Sequence, residues 1–172
     1  MSTDLVVSII ADDQPGLVDS LAQTVVDNQG NWLESRMAQM AGKFAGILRI
    51  SVSEPHSSSL QEALEALQTR GMKVIVEQAV DESAPATRAL LLNLVGNDRP
   101  GIVREVSQLL ARQHINVEEL STECTPAPHS SDMLFRAQAR LQVPTDVDID
   151  TLTETLESLA DDLIVEVSHP GA

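Results

Sequence analysis

The sequence has 172 residues, of which 42% are hydrophobic and 22% are charged, a composition typical of a folded globular protein. It contains 11 Lys and Arg against 26 Asp and Glu, and the resulting net charge of -15 at pH 7 disfavours direct binding to nucleic acid or to anionic membranes. The aromatic content of 2% also leaves few side chains on which nucleic-acid bases could stack.

The N-terminal residues 1–4 lack the basic start and long apolar run of a signal peptide, and no segment is apolar enough to span a membrane. We therefore expect a cytoplasmic protein. The single cysteine, Cys124, has no partner for an internal disulfide and is expected to be an inert strand residue.

The two halves of the chain repeat each other at an offset of 85 residues, which places Pro15-Gly16 on Pro100-Gly101. Leu5–Ala11 then falls on Leu90–Gly96, and Asp12–Val18 falls on Asn97–Val103. A period this long is too large for a solenoid repeat and indicates two copies of one small domain.

Hydrophobic patterning predicts the elements of the first copy. Pro15 is predicted at the first helical position, Gly30 is predicted to stop that helix, and Ser59–Glu62 has the capping-box pattern of a second helix. The predicted elements are a strand Leu5–Ile10, a helix Pro15–Gln29, a hairpin of strands Trp32–Met40 and Phe44–Val52, a helix from Ser59 that ends before Gly71, and a strand Met72–Val80.

The second copy predicts the same order, with a longer hairpin loop at Thr125–Ser131. Its elements are a strand Ala89–Gly96, a helix Gly101–His114, strands Asn116–Cys124 and Met133–Val143, a helix Ile149–Ala160, and a strand Leu163–Ser168.

This order predicts an α+β fold of two tandem ferredoxin-like βαββαβ domains, in which helices on one face of each sheet join parallel strands. The expected boundaries are an N-terminal domain at 1–81, a linker at 82–87 and a C-terminal domain at 88–172. The seam is polar and contains a proline, as linkers commonly do.

The repeated loop before each first helix has the residues to hold a free amino acid. The N-H groups and positive dipole end of the helix favour a carboxylate, Gly16 and Gly101 allow close backbone approach, and Asp13 and Asp98 can accept from an ammonium group. The alternative is structural: the two aspartates cap their helices, and Pro-Gly only sets the turn.

The strand, the Asp/Asn-Asp-x-Pro-Gly loop, the helix and the later Asn-x-x-Glu at Asn31 and Asn116 together resemble the ACT domain, in both copies. The resemblance implies a regulatory module that binds small molecules, commonly amino acids, at interfaces between ACT units. The tandem pair is also similar to a group of transcriptional regulators, which implies action through a protein partner that contacts DNA.

The residues that the resemblance assigns to ligand binding follow the loop in each copy, and an asparagine reaches the ligand from the neighbouring unit. Arg99, where the first copy has Gln14, is expected to bind a carboxylate or an acid group of a partner, or to be solvated. The candidate ligand-binding residues are Asp12, Asp13, Pro15, Gly16, Leu17, Asn31, Asn97, Asp98, Arg99, Pro100, Gly101, Ile102 and Asn116.

The remaining motifs do not indicate an enzyme. The four histidines have no metal-ligand spacing with Cys124, no nucleophile motif is present, and no glycine-rich phosphate loop appears, so we expect no metal and no cofactor. We expect a regulator that binds an amino acid, with glycine and serine as candidates. Its expected partner is a DNA-binding activator protein, or alternatively a metabolic enzyme of which it is a regulatory subunit. A homo-oligomer is expected, and a scaffold with empty loops is a third interpretation.

Overall fold

The computed structural model describes residues 1–80 and 85–171, and the chain divides into two compact units, Met1–Glu82 and Ser83–Ala172. Half of the predicted linker at 82–87, residues 82–84, lies outside the described residues. A strand already begins at Thr87, the last residue of that predicted segment.

The first unit contains four strands, two α-helices and one short 3-10 helix. Its elements are β1 Ser2–Asp12, α1 Leu17–Asp27, β2 Asn31–Met40, β3 Lys43–Ser53, α2 Glu54–Ala66, the 3-10 helix Leu67–Arg70, and β4 Lys73–Gln78. The sheet has the order β2-β3-β1-β4, and each pair of neighbouring strands is antiparallel.

The second unit repeats this architecture. Its elements are β5 Thr87–Asn97, α3 Ile102–Arg112, β6 Asn116–Pro126, β7 Met133–Pro144, α4 Ile149–Glu157 and β8 Ile164–Ser168. The sheet order is β6-β7-β5-β8, again with antiparallel neighbours.

The predicted ferredoxin-like βαββαβ order is confirmed in both units. Strands joined through a helix run in the same direction, as predicted, and they are not neighbours in the sheet. In the first sheet β3 lies between β1 and β2 and is antiparallel to both. All neighbouring strands are therefore antiparallel. In the first sheet β3 separates β1 from β2 and β1 separates β3 from β4, and in the second sheet β7 and β5 have the same positions.

Each core forms where one face of the sheet meets the apolar stripes of its helices. On β1 every second residue from Leu5 to Ala11 is buried, and on α1 the buried residues Leu17, Leu21 and Val25 follow the helical period. The second unit places Leu90, Leu92 and Leu94 against the buried stripe of α3 in the same way.

The start of α1 differs from its prediction. Gly16 is the N-cap residue, with a left-handed φ of +93°, and the helix begins at Leu17, so Pro15 lies in the turn before it. Gly101 has a φ of +88° and precedes α3 in the same manner. The left-handed glycine ends the loop and sets the direction of the helix, whereas a proline at the first helical position would have continued directly into it.

The prediction that Gly30 stops α1 is wrong. The left-handed residue after the helix is Gln29, with a φ of +58°, and the Gly30 N-H donates to the Val25 carbonyl over 2.9 Å. A Cβ on Gly30 would lie 2.9 Å from Val25 Cγ1 and 3.1 Å from Ile50 Cγ2. Gly30 is therefore required for close packing, not for its backbone angle.

The predicted capping box at Ser59 is also wrong. Helix α2 begins at Glu54 with Ser53 as its N-cap and Pro55 in its first turn, where the missing N-H of proline has no helical partner to lose. Ser59 lies inside the helix, and its hydroxyl donates to Asn28 Oδ1 over 3.0 Å.

Candidate ligand-binding loops

The first candidate loop, residues 12–16, follows β1 and is exposed along its whole length. Lys43, opposite Asp12 in the β1-β3 register, forms an ion pair with the Asp12 carboxylate. That hydrogen bond and the positive charge of Lys43 lower the pKa of Asp12. The Asp13 N-H donates to the Gly42 carbonyl over 3.0 Å, so the hairpin turn between β2 and β3 supports the loop.

The glycines that begin α1 and α3 give both loops the same open form. A Cβ on Gly16 or Gly101 would meet no atom within 4 Å. The first helical hydrogen bonds run from Ser20 N to Gly16 O over 2.9 Å and from Glu105 N to Gly101 O over 3.0 Å. Directly beneath the loops, Leu17 and Ile102 are buried and hold the two helix starts to their cores.

The capping role considered for Asp13 and Asp98 is wrong. Glycine holds both N-cap positions, and neither α1 nor α3 receives a side-chain capping hydrogen bond. The N-H groups of each first turn therefore have no N-cap side-chain acceptor, and such groups favour an anion. Both aspartates lie in exposed segments beside these helix starts.

The second candidate loop, residues 97–101, is held by more contacts than the first. Asn97 N donates to Asp162 Oδ2 over 2.7 Å, and Asp98 N donates to the Met133 carbonyl over 2.8 Å. Arg99 forms an ion pair with Glu105 on α3, a contact that was not predicted from the sequence.

Cys124 is an exposed residue on β6, in agreement with its predicted place in a strand. Partial desolvation raises the pKa of its thiol, and the charge and hydrogen bonding of Asp98 raise it further. Cys124 pairs with Phe135, which pairs with Gly96 just before the second loop, and this placement was not foreseen from the sequence.

Three residues that contact the loops were not predicted from the sequence: Lys43, Glu105 and Asp162. Glu105 could have been found from its place in the first turn of the predicted helix, within reach of Arg99. Lys43 and Asp162 come from other parts of each fold, and no sequence signal links them to the loops.

The structure does not bring Asn31 or Asn116 to the loop of its own unit. Asn31 pairs with Ser51, which pairs with Asp4 at the start of β1, whereas the loop follows Asp12 at the other end of that strand. Eight strand residues separate the two levels, about 26 Å. Asn116 is related to its own loop in the same way through Gln142 and Ala89. A ligand that touches both a loop and an asparagine therefore requires two units.

Residues 1–80 and 85–171 bear on two other classes of site. No group of three His, Cys, Asp or Glu side chains among them is arranged to hold a metal ion. In the same ranges, no helix has the length and apolar character needed to cross a membrane.

A family model, sequence relatives and solved structures all resemble this chain, in agreement with its fold. The family profile of the ACT domain matches residues 3–77. The glycine cleavage system transcriptional repressor of Escherichia coli strain K12 is 20% identical over 161 residues, which cover 92% of this chain and 85% of the repressor.

Two solved structures align with almost the whole chain. A protein of unknown function from Galdieria sulphuraria is 29% identical, with a TM-score of 0.85 and coverage of 98% of both chains. A structure described as a glycine cleavage system transcriptional repressor is 16% identical, with a TM-score of 0.71 and coverage of 98% of this chain and 99% of that chain; this likeness concerns the fold. Both units thus have the ferredoxin-like βαββαβ fold, the first unit matches the ACT-domain model, and the chain resembles the glycine cleavage system transcriptional repressor.

Proposed function

We propose that this protein is a cytoplasmic, amino-acid-responsive regulator that acts through a protein partner and has no catalytic activity of its own. The observation that carries the proposal is the pair of open loops, in which an uncapped helix start lies beside Gly16 or Gly101 and an exposed aspartate. The repressor likeness favours a role in transcription.

In this proposal the ligand carboxylate lies against the N-H groups at the start of α1 or α3, where the glycine leaves room for it. The ammonium group is held by Asp13 or Asp98, since ionised carboxylates only accept hydrogen bonds. Asn31 or Asn116 reaches the ligand from another unit in this proposal, since each lies about 26 Å along the sheet from the loop of its own unit. Such a shared site favours a homo-oligomer or paired units.

The first experiment is a thermal-unfolding series with glycine, serine and a panel of other amino acids. A ligand at 100 times its dissociation constant stabilises the folded state by about 2.7 kcal/mol, so selective binding raises Tm measurably. A Tm that no amino acid changes would contradict the proposed ligand and favour a scaffold with empty loops.

Gly16→Ala and Gly101→Ala test the loops themselves. Each places a side chain on a left-handed residue, which costs about 1–2 kcal/mol, and each also fills the space proposed for the carboxylate. Gly71→Ala is the control for Gly101→Ala, because Gly71 has a φ of +84° and equally open surroundings and lies in the first unit. We expect similar losses of Tm in all three variants, with weaker ligand binding only in the loop variants.

The partner is tested by affinity capture from the native cell with and without the stabilising amino acid. Recovery of a DNA-binding activator supports the role in transcription. Recovery of a metabolic enzyme without such an activator would overturn that role and make the protein a regulatory subunit of the enzyme.

A further inference from the structure

An apolar cavity of about 30 Å³ lies inside the second unit, between α3 and the sheet. Ten of its twelve lining residues are apolar, and the two others are Ser107 and Thr122. A cavity of this size has room for about two water-sized groups, yet its lining offers water few polar partners. The space therefore suits a small aliphatic group.

The first unit fills the corresponding space with its own side chains. In the matching strand registers, Trp32 stands where the second unit has Val117, Met37 stands where it has Thr122, and Leu48 stands where it has Ala139. Trp32 and Met37 pack against the first core, and Leu48 is 1% exposed. At three positions that line the cavity the second copy thus has a smaller residue than the first.

The mouth of the cavity is apolar and lies close to the second candidate loop. Val103, Val117 and Leu120 line it and are exposed by 41%, 37% and 52%, so an apolar occupant would remove these side chains from water. Val103 is the second residue of α3 and follows Gly101 by two positions, well within one helical turn of about 5.4 Å.

We propose that this cavity is the side-chain pocket for an amino acid with a branched aliphatic side chain, of the valine, leucine or isoleucine type. The inference rests on the proposed function, because the ligand carboxylate is placed at the start of α3 while the side chain enters beside Val103. In the first unit Trp32, Met37 and Leu48 stand at the corresponding positions, so we do not expect that unit to favour aliphatic ligands.

The test compares ligand affinities of the wild type with those of two variants that copy the first unit, Ala139→Leu and Thr122→Met. For the wild type we expect valine, leucine or isoleucine to bind at least about tenfold more tightly than alanine, because added methyl groups are buried. Both variants are expected to remain folded with an unchanged or higher Tm and to lose this preference. The control is Ala38→Leu, at an exposed strand position of the first unit, which is expected to keep the preference for valine, leucine or isoleucine over alanine.

The outcomes separate this pocket from the proposed function. If glycine or serine binds as tightly as valine and neither filling variant changes any affinity, the pocket is wrong while the loop site stands. If no amino acid binds, the proposed function fails and the pocket fails with it. If benzene stabilises the wild type while aliphatic amino acids do not, the cavity is a packing defect only, and the pocket is overturned.

Discussion

Arg99 and Glu105 form a bidentate ion pair, in which Arg99 Nη1 donates to Glu105 Oε1 over 3.0 Å and Arg99 Nη2 donates to Glu105 Oε2 over 2.5 Å. The pair ties the second candidate loop to the first turn of α3. The first unit has Gln14 and Ser20 at the equivalent positions and cannot form it. The two loops thus share a backbone form but differ in charge arrangement.

The pH dependence of this pair is testable. Hydrogen bonding to Arg99 lowers the pKa of Glu105 below its ordinary value of 4.5. A carboxylate with a lowered folded-state pKa stabilises the fold fully above its unfolded pKa and loses that contribution as the pH falls through the folded value. We expect the Tm difference between wild type and Glu105→Gln to be largest near neutral pH and to shrink below pH 4.5.

Site-resolved NMR titration checks the cause directly. In Arg99→Gln the pKa of Glu105 should rise towards its ordinary value. A titration curve that is the same in wild type and Arg99→Gln would show that the pair does not shift this carboxylate.

Gly46→Ala should destabilise the first unit by about 1–3 kcal/mol, as overpacking does. A Cβ at Gly46 would lie 2.4 Å from the Arg36 carbonyl oxygen and 2.8 Å from Met37 Cα, and these backbone atoms cannot move away easily. Denaturant unfolding measures the loss. The equivalent residue in the second unit is Ala137, opposite Thr122, so Ala137→Gly is the control and should change stability less. A fully stable Gly46→Ala would contradict the strand packing described above.

Asp148 should contribute to stability as the N-cap of α4. Its carboxylate accepts from Thr151 N over 2.9 Å and from Thr151 Oγ1 over 2.7 Å, and these bonds lower the pKa of Asp148. Asp148→Ala should lower Tm at neutral pH, whereas Asp148→Asn should largely preserve it because asparagine is also a good N-cap acceptor. Equal losses of Tm in both variants would point to the charge instead of the cap.

The isolated protein should not shift a DNA duplex at physiological salt. With a net charge of -15 it repels phosphates, and nucleic-acid affinity depends largely on Lys and Arg that neutralise them. A gel-shift titration at several salt concentrations makes the measurement. Tight, sequence-specific binding by the protein alone would contradict action through a partner.

Much of the fold could be predicted because the relevant patterns are local. The nearly unbroken aliphatic run Leu5–Ile10 and the glycine-bearing turn at Gly42 correctly predicted β1 and the β2-β3 hairpin, although the strands extend beyond their predicted ends. The predicted starts of α1 and α2 were wrong because several residue types can begin a helix. At α1 a left-handed glycine displaced proline, and at α2 Ser53 with Pro55 preceded the Ser59 pattern.

The sequence by itself determined the repeat, the order of the elements and the two Pro-Gly loops, since each depends on neighbours along the chain. Only the tertiary structure decided that Arg99 meets Glu105, that Asn31 lies at the far end of the sheet from its loop, and that a cavity opens beside Val103. Strand register and core volume set these relationships. Residues far apart in sequence determine both. Thr122 and Ala139, for example, line the cavity together, and whether their side chains fill that space depends on how the sheet is assembled.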